Sequence, residues 1–267
     1  MQLDEQHQAE LLRFLHTDPH INLFLIGDID LFGFDDTIQR YYGHYNADGN
    51  LVGVIFRFRE ETMHLYATQI SDTFITQAYE LYEQEAFPRI MAGSKTMALI
   101  GSRLDAIIGS KAASTMAVYT PNNLEIDTSE VSVLTSADAD AIVALESQSF
   151  GVRVGAHDHV RTELHQGLRI SYGWKIEGKL VSVATATAMT SDSAMIIGVC
   201  TDRDYMKQGF ATKVVKRMSD ELLKQGKQGV LFYTNPAAAS IYERLGYEPY
   251  DTYYMCELKR SASHAKK

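Results

Sequence analysis

The apolar residues of the C-terminal half follow two rhythms. Over 209–225, Phe210, Val214, Met218 and Leu222 recur every four positions, with Lys213, Lys216, Arg217, Asp220 and Lys224 between them. This is the stripe of an amphipathic helix laid on a core. Short apolar or alternating runs at 131–134, 169–176, 180–189, 193–201, 229–234 and 253–258 predict strands, and Glu177-Gly178-Lys179 joins 169–176 to 180–189 as a hairpin. Ser136 is placed to cap a helix over 137–147 that turns Ile142 and Leu145 inward. Pro236–Leu245 predicts a shorter helix, and residues 150–168 fit a helix or a loop equally.

The N-terminal half repeats the style. Leu3, Leu11, Leu12 and Leu15 predict a helix over 4–16. Runs at 39–45 and 51–58 flank the turn Ala47-Asp48-Gly49-Asn50 as a hairpin. A third strand follows at 63–67, a helix over 72–86 ended by Pro88, a strand at 89–92, a helix over 94–107 and a strand at 112–119. Tyr41, Tyr42 and Tyr45 read as strand packing and the single Trp174 as core. The fold class is α/β (α+β), with each half a mixed, mostly antiparallel sheet flanked by helices. The order of elements is compatible with a distant internal duplication.

Length and charge divide this picture in two. The chain has 267 residues, a length that suits two domains. The polar, turn-rich stretch Tyr119–Ser129, with Pro121 before two asparagines, puts the boundary near 128: domains are expected at 1–128 and 129–267. The first carries 8 Lys+Arg against 18 Asp+Glu, or −10, and the second 17 against 16, or +1, within a net charge of −9. Such a chain is ill suited to grip nucleic acid or an anionic membrane, and neither is expected as a partner. Cys200 and Cys256 make no disulfide framework and fit a reducing compartment. With no targeting segment read at Met1–Gln8, the expected location is the cytoplasm. The tail from Ser261 is expected to fray. His157 and His159 form a lone His-x-His that reads as surface polarity, so no metal is expected.

The segment richest in chemistry is Met195–Val215. A strand ends at Thr201, and after a polar turn Lys207-Gln-Gly-Phe-Ala-Thr212 opens the amphipathic helix. Unpaired N–H groups and the positive end of the helix dipole suit a phosphate there. Gly209 and Ala211 let backbone approach closely, and Lys207, Lys213 and Lys216 add charge. The pattern is neither a P-loop nor Gly-x-Gly-x-x-Gly. Downstream, Asn235-Pro236 is a good cap-and-first-turn pair without any ligand.

Taken with that loop, the tail Asn235-Pro236-x-Ala238-x-x-x-Tyr242-x-x-x-Gly246-Tyr247 resembles the GNAT superfamily of acyl-CoA-dependent N-acetyltransferases. Met206-Lys-Gln-Gly209-Phe-Ala211 follows that superfamily's Arg/Gln-x-x-Gly-x-Gly/Ala loop except at Met206. The resemblance covers about 130–258. The first half is similar, more loosely, to the degenerate N-terminal half of bacterial two-domain members.

The resemblance implies an acyl-CoA N-acyltransferase fold in the second half. It also implies a co-substrate, acetyl-CoA or another acyl-CoA, held by Val199, Cys200, Thr201, Lys207, Gln208, Gly209, Phe210, Ala211, Thr212, Asn235, Ala238 and Tyr242. The strand at 196–201 would diverge from 230–234 to take the pantetheine arm, with the diphosphate on Gln208–Thr212 and Tyr242 as general acid. Glu146 is the candidate base or acceptor contact. The expected reaction moves acetyl to a primary amine by direct attack in a ternary complex. The rival is a non-catalytic acyl-CoA sensor on the same fold. Partners are acyl-CoA and an amine, with a homodimer admitted.

Overall fold

The structure is a computed structural model that describes all residues except 36, 60, 85–87, 152–155 and 260–267; the tail expected to fray lies outside the described residues. Two compact units emerge, Met1–Thr115 with Asp251–Lys267, and Met116–Tyr250. The elements run α1 (Gln8–Leu15), α2 (Leu23–Phe32), β1 (Gln39–Tyr45), β2 (Leu51–Phe58), β3 (Thr62–Ala67), α3 (Asp72–Gln84), β4 (Arg89–Gly93), α4 (Ser94–Ile100) and β5 (Ile108–Tyr119). They continue with β6 (Val131–Leu134), α5 (Ala139–Phe150), α6 (Ala156–Gln166), β7 (Ile170–Ile176), β8 (Lys179–Thr187), β9 (Ser193–Thr201), α7 (Phe210–Lys224), β10 (Gln228–Tyr233), α8 (Pro236–Leu245) and β11 (Tyr247–Leu258).

The first unit builds an antiparallel run β1-β2-β3, then a parallel step from β3 to β4, and β11 antiparallel beside β4. Its core gathers Ile55, Met63, Phe74, Leu81, Ile90 and Cys256. The second unit has the same logic: β6-β7-β8-β9 antiparallel, then β9 to β10 parallel, with β5 beside β10. Apart from β6, which precedes α5, each half of the sequence thus runs two helices, a meander, a helix, a parallel strand, a helix and a last strand. The last strands are exchanged: β5 begins in the first unit and ends in the second, and β11 does the reverse. The unit limits therefore fall inside these strands, at Thr115/Met116 and Tyr250/Asp251, and not in the polar stretch around residue 128.

Most predicted elements appear at their expected places, the 39–58 hairpin and α7 among them. Four local features depart from the predicted elements. The helix at 94–107 stops at Ile100, because Gly101 takes a positive φ and the chain turns. The helix expected from Ala137 starts after a turn of 3₁₀ helix capped by Thr135, not Ser136. Thr135 and Asp138 form a reciprocal capping box there, and the α-helix runs to Phe150. The last strand starts at Tyr247, not Tyr253. Finally, α2 is apolar on nearly every side and lacks the periodicity of a surface helix.

The exchanged strand also caps a helix. Asp251 of β11 accepts from the backbone N–H of Ser94 at 3.2 Å and from the Ser94 hydroxyl, at an α4 start whose own cap position is Gly93. Asp251→Ala is expected to destabilise the first unit by about 1 kcal/mol, the usual cost of a lost cap. A lowered urea midpoint at unchanged slope would show it; an unmoved midpoint would refute it.

Candidate active site

The site grows from an irregularity in β9. Its parallel pairing with β10 runs from Ser193↔Gln228 to Ile196↔Leu231 and stops. On the other edge, β8 pairs Thr185↔Ile197 and then Val183↔Cys200, so Gly198 and Val199 together face Ala184. This is a β-bulge, and a bulge bends its strand and raises its twist. Gly198 sits at φ +62°, and a Cβ there would lie 2.5 Å from Glu146 Oε1. Glycine is needed at the bulge on both counts.

Past the bulge, a cleft of about 710 Å³ opens between the Val199–Thr201 end of β9, the loop before α7, and α8. Every residue expected to hold the cofactor lines it except Gln208. The loop brings Lys207 (φ +61°) and Gly209 (φ +85°) into the left-handed region. Such alternation turns successive N–H groups toward a common point. The first backbone bond of α7 is from Lys213 N–H to the Gly209 carbonyl at 3.1 Å, so the N–H groups of Phe210, Ala211 and Thr212 have no acceptor within the helix.

The cations are arranged differently from the sequence expectation. Lys216 is tied to Asp220 at 2.6 Å, and Lys213 lies 4.3 Å over the Trp174 ring, which itself packs on Phe210. Neither is aimed at the loop. The charges on the cleft are Lys207 and Arg244. Arg244, on α8, donates to Thr212 Oγ1 at 3.0 Å. Sequence reasoning missed it; its only signal was its place two residues after Tyr242, toward the exposed side of α8.

Asn235 caps α8, its side-chain oxygen accepting from Ala237 N–H at 2.9 Å. That leaves the amide nitrogen outside the cap while the residue lines the cleft. Tyr242 is 8% exposed, its ring between Tyr233 and Tyr247. Burial pushes its phenol up to about 12, so it keeps its proton through neutral pH. Met206 is 52% exposed at the lip of the cleft.

Glu146 faces a second, smaller hollow of about 270 Å³ on the other side of the bulge, with Val143, Phe150, Arg169 and Ile197. Phe150 borders both hollows. His157 and His159 are engaged by Asp140 and Glu163. Among the described residues no group of three or more His, Cys, Asp or Glu is placed to hold a metal ion. Nor is any described helix long and apolar enough to cross a membrane.

This architecture has known counterparts. Residues 175–256 match the family model described as FR47-like protein, a span that holds β8, the bulge, the loop and α8. A tandem GNAT protein from the clavulanic acid biosynthesis pathway superposes with a TM-score of 0.63 at 14% identity, over 98% of each chain. The fold is that of the GNAT acetyltransferases. A GNAT-family acetyltransferase from Colwellia psychrerythraea (TM-score 0.59, 16% identity, 93% of this chain and 97% of that one) shares it. So does a GCN5-related N-acetyltransferase from Kribbella flavida (0.62, 15%, 89% and 98%). No curated protein matches the chain. The resemblance read from the loop and the Asn235–Tyr247 segment is borne out, with the GNAT-related match in the C-terminal half.

Cys200 borders the cleft but is built as an inert thiol. Burial, and after it the charge of Glu146, pushes it up to about 12, whereas a reactive cysteine needs a stabilised thiolate. In the native protein at pH 8, Cys200 is expected to resist iodoacetamide while free glutathione is consumed. Mass spectrometry reads this, and rapid labelling of Cys200 would contradict the assignment.

Proposed function

We propose that the protein is an acyl-CoA-dependent N-acyltransferase that moves acetyl from acetyl-CoA to a primary amine by direct attack. The observation that carries the reading is the divergence of β9 from β10 beyond Ile196, beside a loop of unsatisfied N–H groups and two cations. Strand, gap and loop suit one elongated ligand with an amide-bearing arm and a diphosphate.

Val199 and Thr201 would pair with the amides of the arm as an added strand. The N–H groups from Gln208 to Thr212 would hold the diphosphate, with Lys207 and Arg244 neutralising charge and the Asn235 amide meeting the arm. A backbone N–H at Val199 or Cys200 faces the thioester oxygen and stabilises the charge it gains as the amine adds. Glu146 takes the proton the amine nitrogen loses, and Tyr242 gives its proton to the departing sulfur as the C–S bond breaks. The inert Cys200 speaks for direct transfer over an acyl-cysteine. The hollow at Glu146, with Val143, Phe150 and Ile197, suits an amine that carries an apolar group.

Calorimetry is expected to show acetyl-CoA and CoA binding, and CoA release is expected with at least one amine of a panel of polyamines, amino acids, aminoglycosides and peptides. No binding at high micromolar concentration would overturn the proposal, and binding without turnover would favour a sensor. Tyr242→Phe is expected to lower kcat by about a hundredfold with little change in cofactor affinity. Because the Tyr242 phenol lies near 12, wild-type kcat should show no basic limb from this group below pH 10. An unchanged rate in Tyr242→Phe would remove the general-acid role.

A further inference from the structure

We propose that Arg169 is a positioning residue for this transfer, holding the Glu146 carboxylate against the Gly198 bulge with Glu163 as its anchor. The inference rests on the reading of Glu146 as proton acceptor. The Arg169 side chain is only 9% exposed, and a buried guanidinium needs paired charge. It has two partners on two helices: Nε donates to Glu163 Oε2 at 3.0 Å and Nη1 to Glu146 Oε1 at 3.4 Å. The backbone N–H groups of Leu168 and Arg169 both donate to the Glu163 carbonyl, at 3.0 and 3.3 Å. The arginine is thus fixed to the end of α6 by main chain and side chain together, and reaches across to α5.

The asymmetry of the two contacts matters. A carboxylate locked in an exclusive ion pair is a poor base, because the cation stabilises its ionised form. Here the shorter contact goes to Glu163, so Glu146 is oriented while sharing the cation. Among the groups near Glu146 are Arg169 from the segment before β7, Cys200 from β9, and through Arg169 the Glu163 carboxylate of α6, which His159 also contacts at 3.1 Å. On its far side the missing Cβ of Gly198 gives the carboxylate its seat. Arg169 itself touches no reacting atom in this scheme; it acts through Glu146.

The test reads Glu146 directly, by NMR titration of its side-chain carboxyl carbon in the full chain, with the signal assigned by Glu146→Gln. Arg169→Met is expected to raise the midpoint by about one pH unit, because a nearby cation is lost. Arg169→Lys should raise it less, and Glu163→Gln should lower it, since Glu146 then has the cation to itself. With the fastest acceptor of the amine panel, Arg169→Met is expected to cut kcat at least about tenfold while KM for acetyl-CoA stays within about twofold. Its acid limb should move with the NMR midpoint, and Arg169→Lys should recover part of the rate. An unmoved midpoint, or an unchanged kcat in an active and folded Arg169→Met protein, overturns the role of Arg169 alone. Absence of any wild-type turnover overturns the transfer reading and this role with it. If Arg169→Met loses its native circular dichroism, Glu163→Gln decides: an unmoved Glu146 midpoint there overturns the inference.

Discussion

Everything at this site follows from one backbone constraint: a strand inside a sheet has hydrogen-bonding groups on both edges, and they need partners. In β9 the edge toward β10 is served only as far as Ile196. The bulge at Gly198-Val199 keeps the strand in register with β8 while turning its remainder away. What is left is a stretch of main chain that no strand among the described residues pairs on that edge, at the mouth of a cleft. The first unit makes the contrast visible. There β3 and β4 also pair in parallel for three positions, Thr62↔Arg89 to His64↔Met91. The onward end of β3 is met by a side chain: Thr96 of α4, 2% exposed, takes the Ala67 N–H at 3.1 Å and contacts the Ala67 carbonyl at 3.4 Å. The same topology is plugged in one unit and open in the other.

The open edge alone would bind little. In the proposed reading it becomes a site because the chain that follows β9 returns as a loop with two left-handed residues and then a helix whose first N–H groups have no acceptor within the helix. The helix is held down by an inner face of Val214, Val215, Met218 and Leu222, with the buried Ser219 hydroxyl bonded to the Tyr247 phenol at 2.6 Å. Its first turn therefore stays fixed relative to β9. Arg244 ties the same turn to α8 through Thr212, so the element that carries Tyr242 is referenced to the loop as well as to the sheet. In the proposed reading this is preorganisation: the donors and the phenol are held by packing independently of any ligand.

Much of this was legible in the sequence, for reasons that are local. The four-residue period of Phe210 to Leu222 specifies α7, and Asn235-Pro236 specifies the start of α8, because period and capping act within a few residues. What stayed hidden depends on register or distance. The bulge is defined only by which residue of β8 faces Gly198, and nothing near Gly198 encodes that. The strand exchange of β5 and β11 links elements more than a hundred residues apart. The apolar run at Leu23–Ile26 belongs to a helix whose residues Leu23, Leu25, Ile26 and Ile29 are all buried, so no polar face marks it. Lys216 looked free for phosphate by composition, but Asp220 four residues on takes it.

Two residues show why a structural explanation and a functional one need not compete. Asn235 spends its side-chain oxygen on the cap of α8, and an amide has a second face. The cap engages the oxygen, and in the proposed reading the nitrogen is left for the ligand's arm. Gly198 is required by its φ and by the Glu146 carboxylate that occupies its Cβ position. That same contact brings the carboxylate to the point where β9 leaves its neighbour. Restoring a Cβ at residue 198 would displace Glu146 and strain the bulge together, so the shape of the strand and the placement of the acid are one feature of the fold.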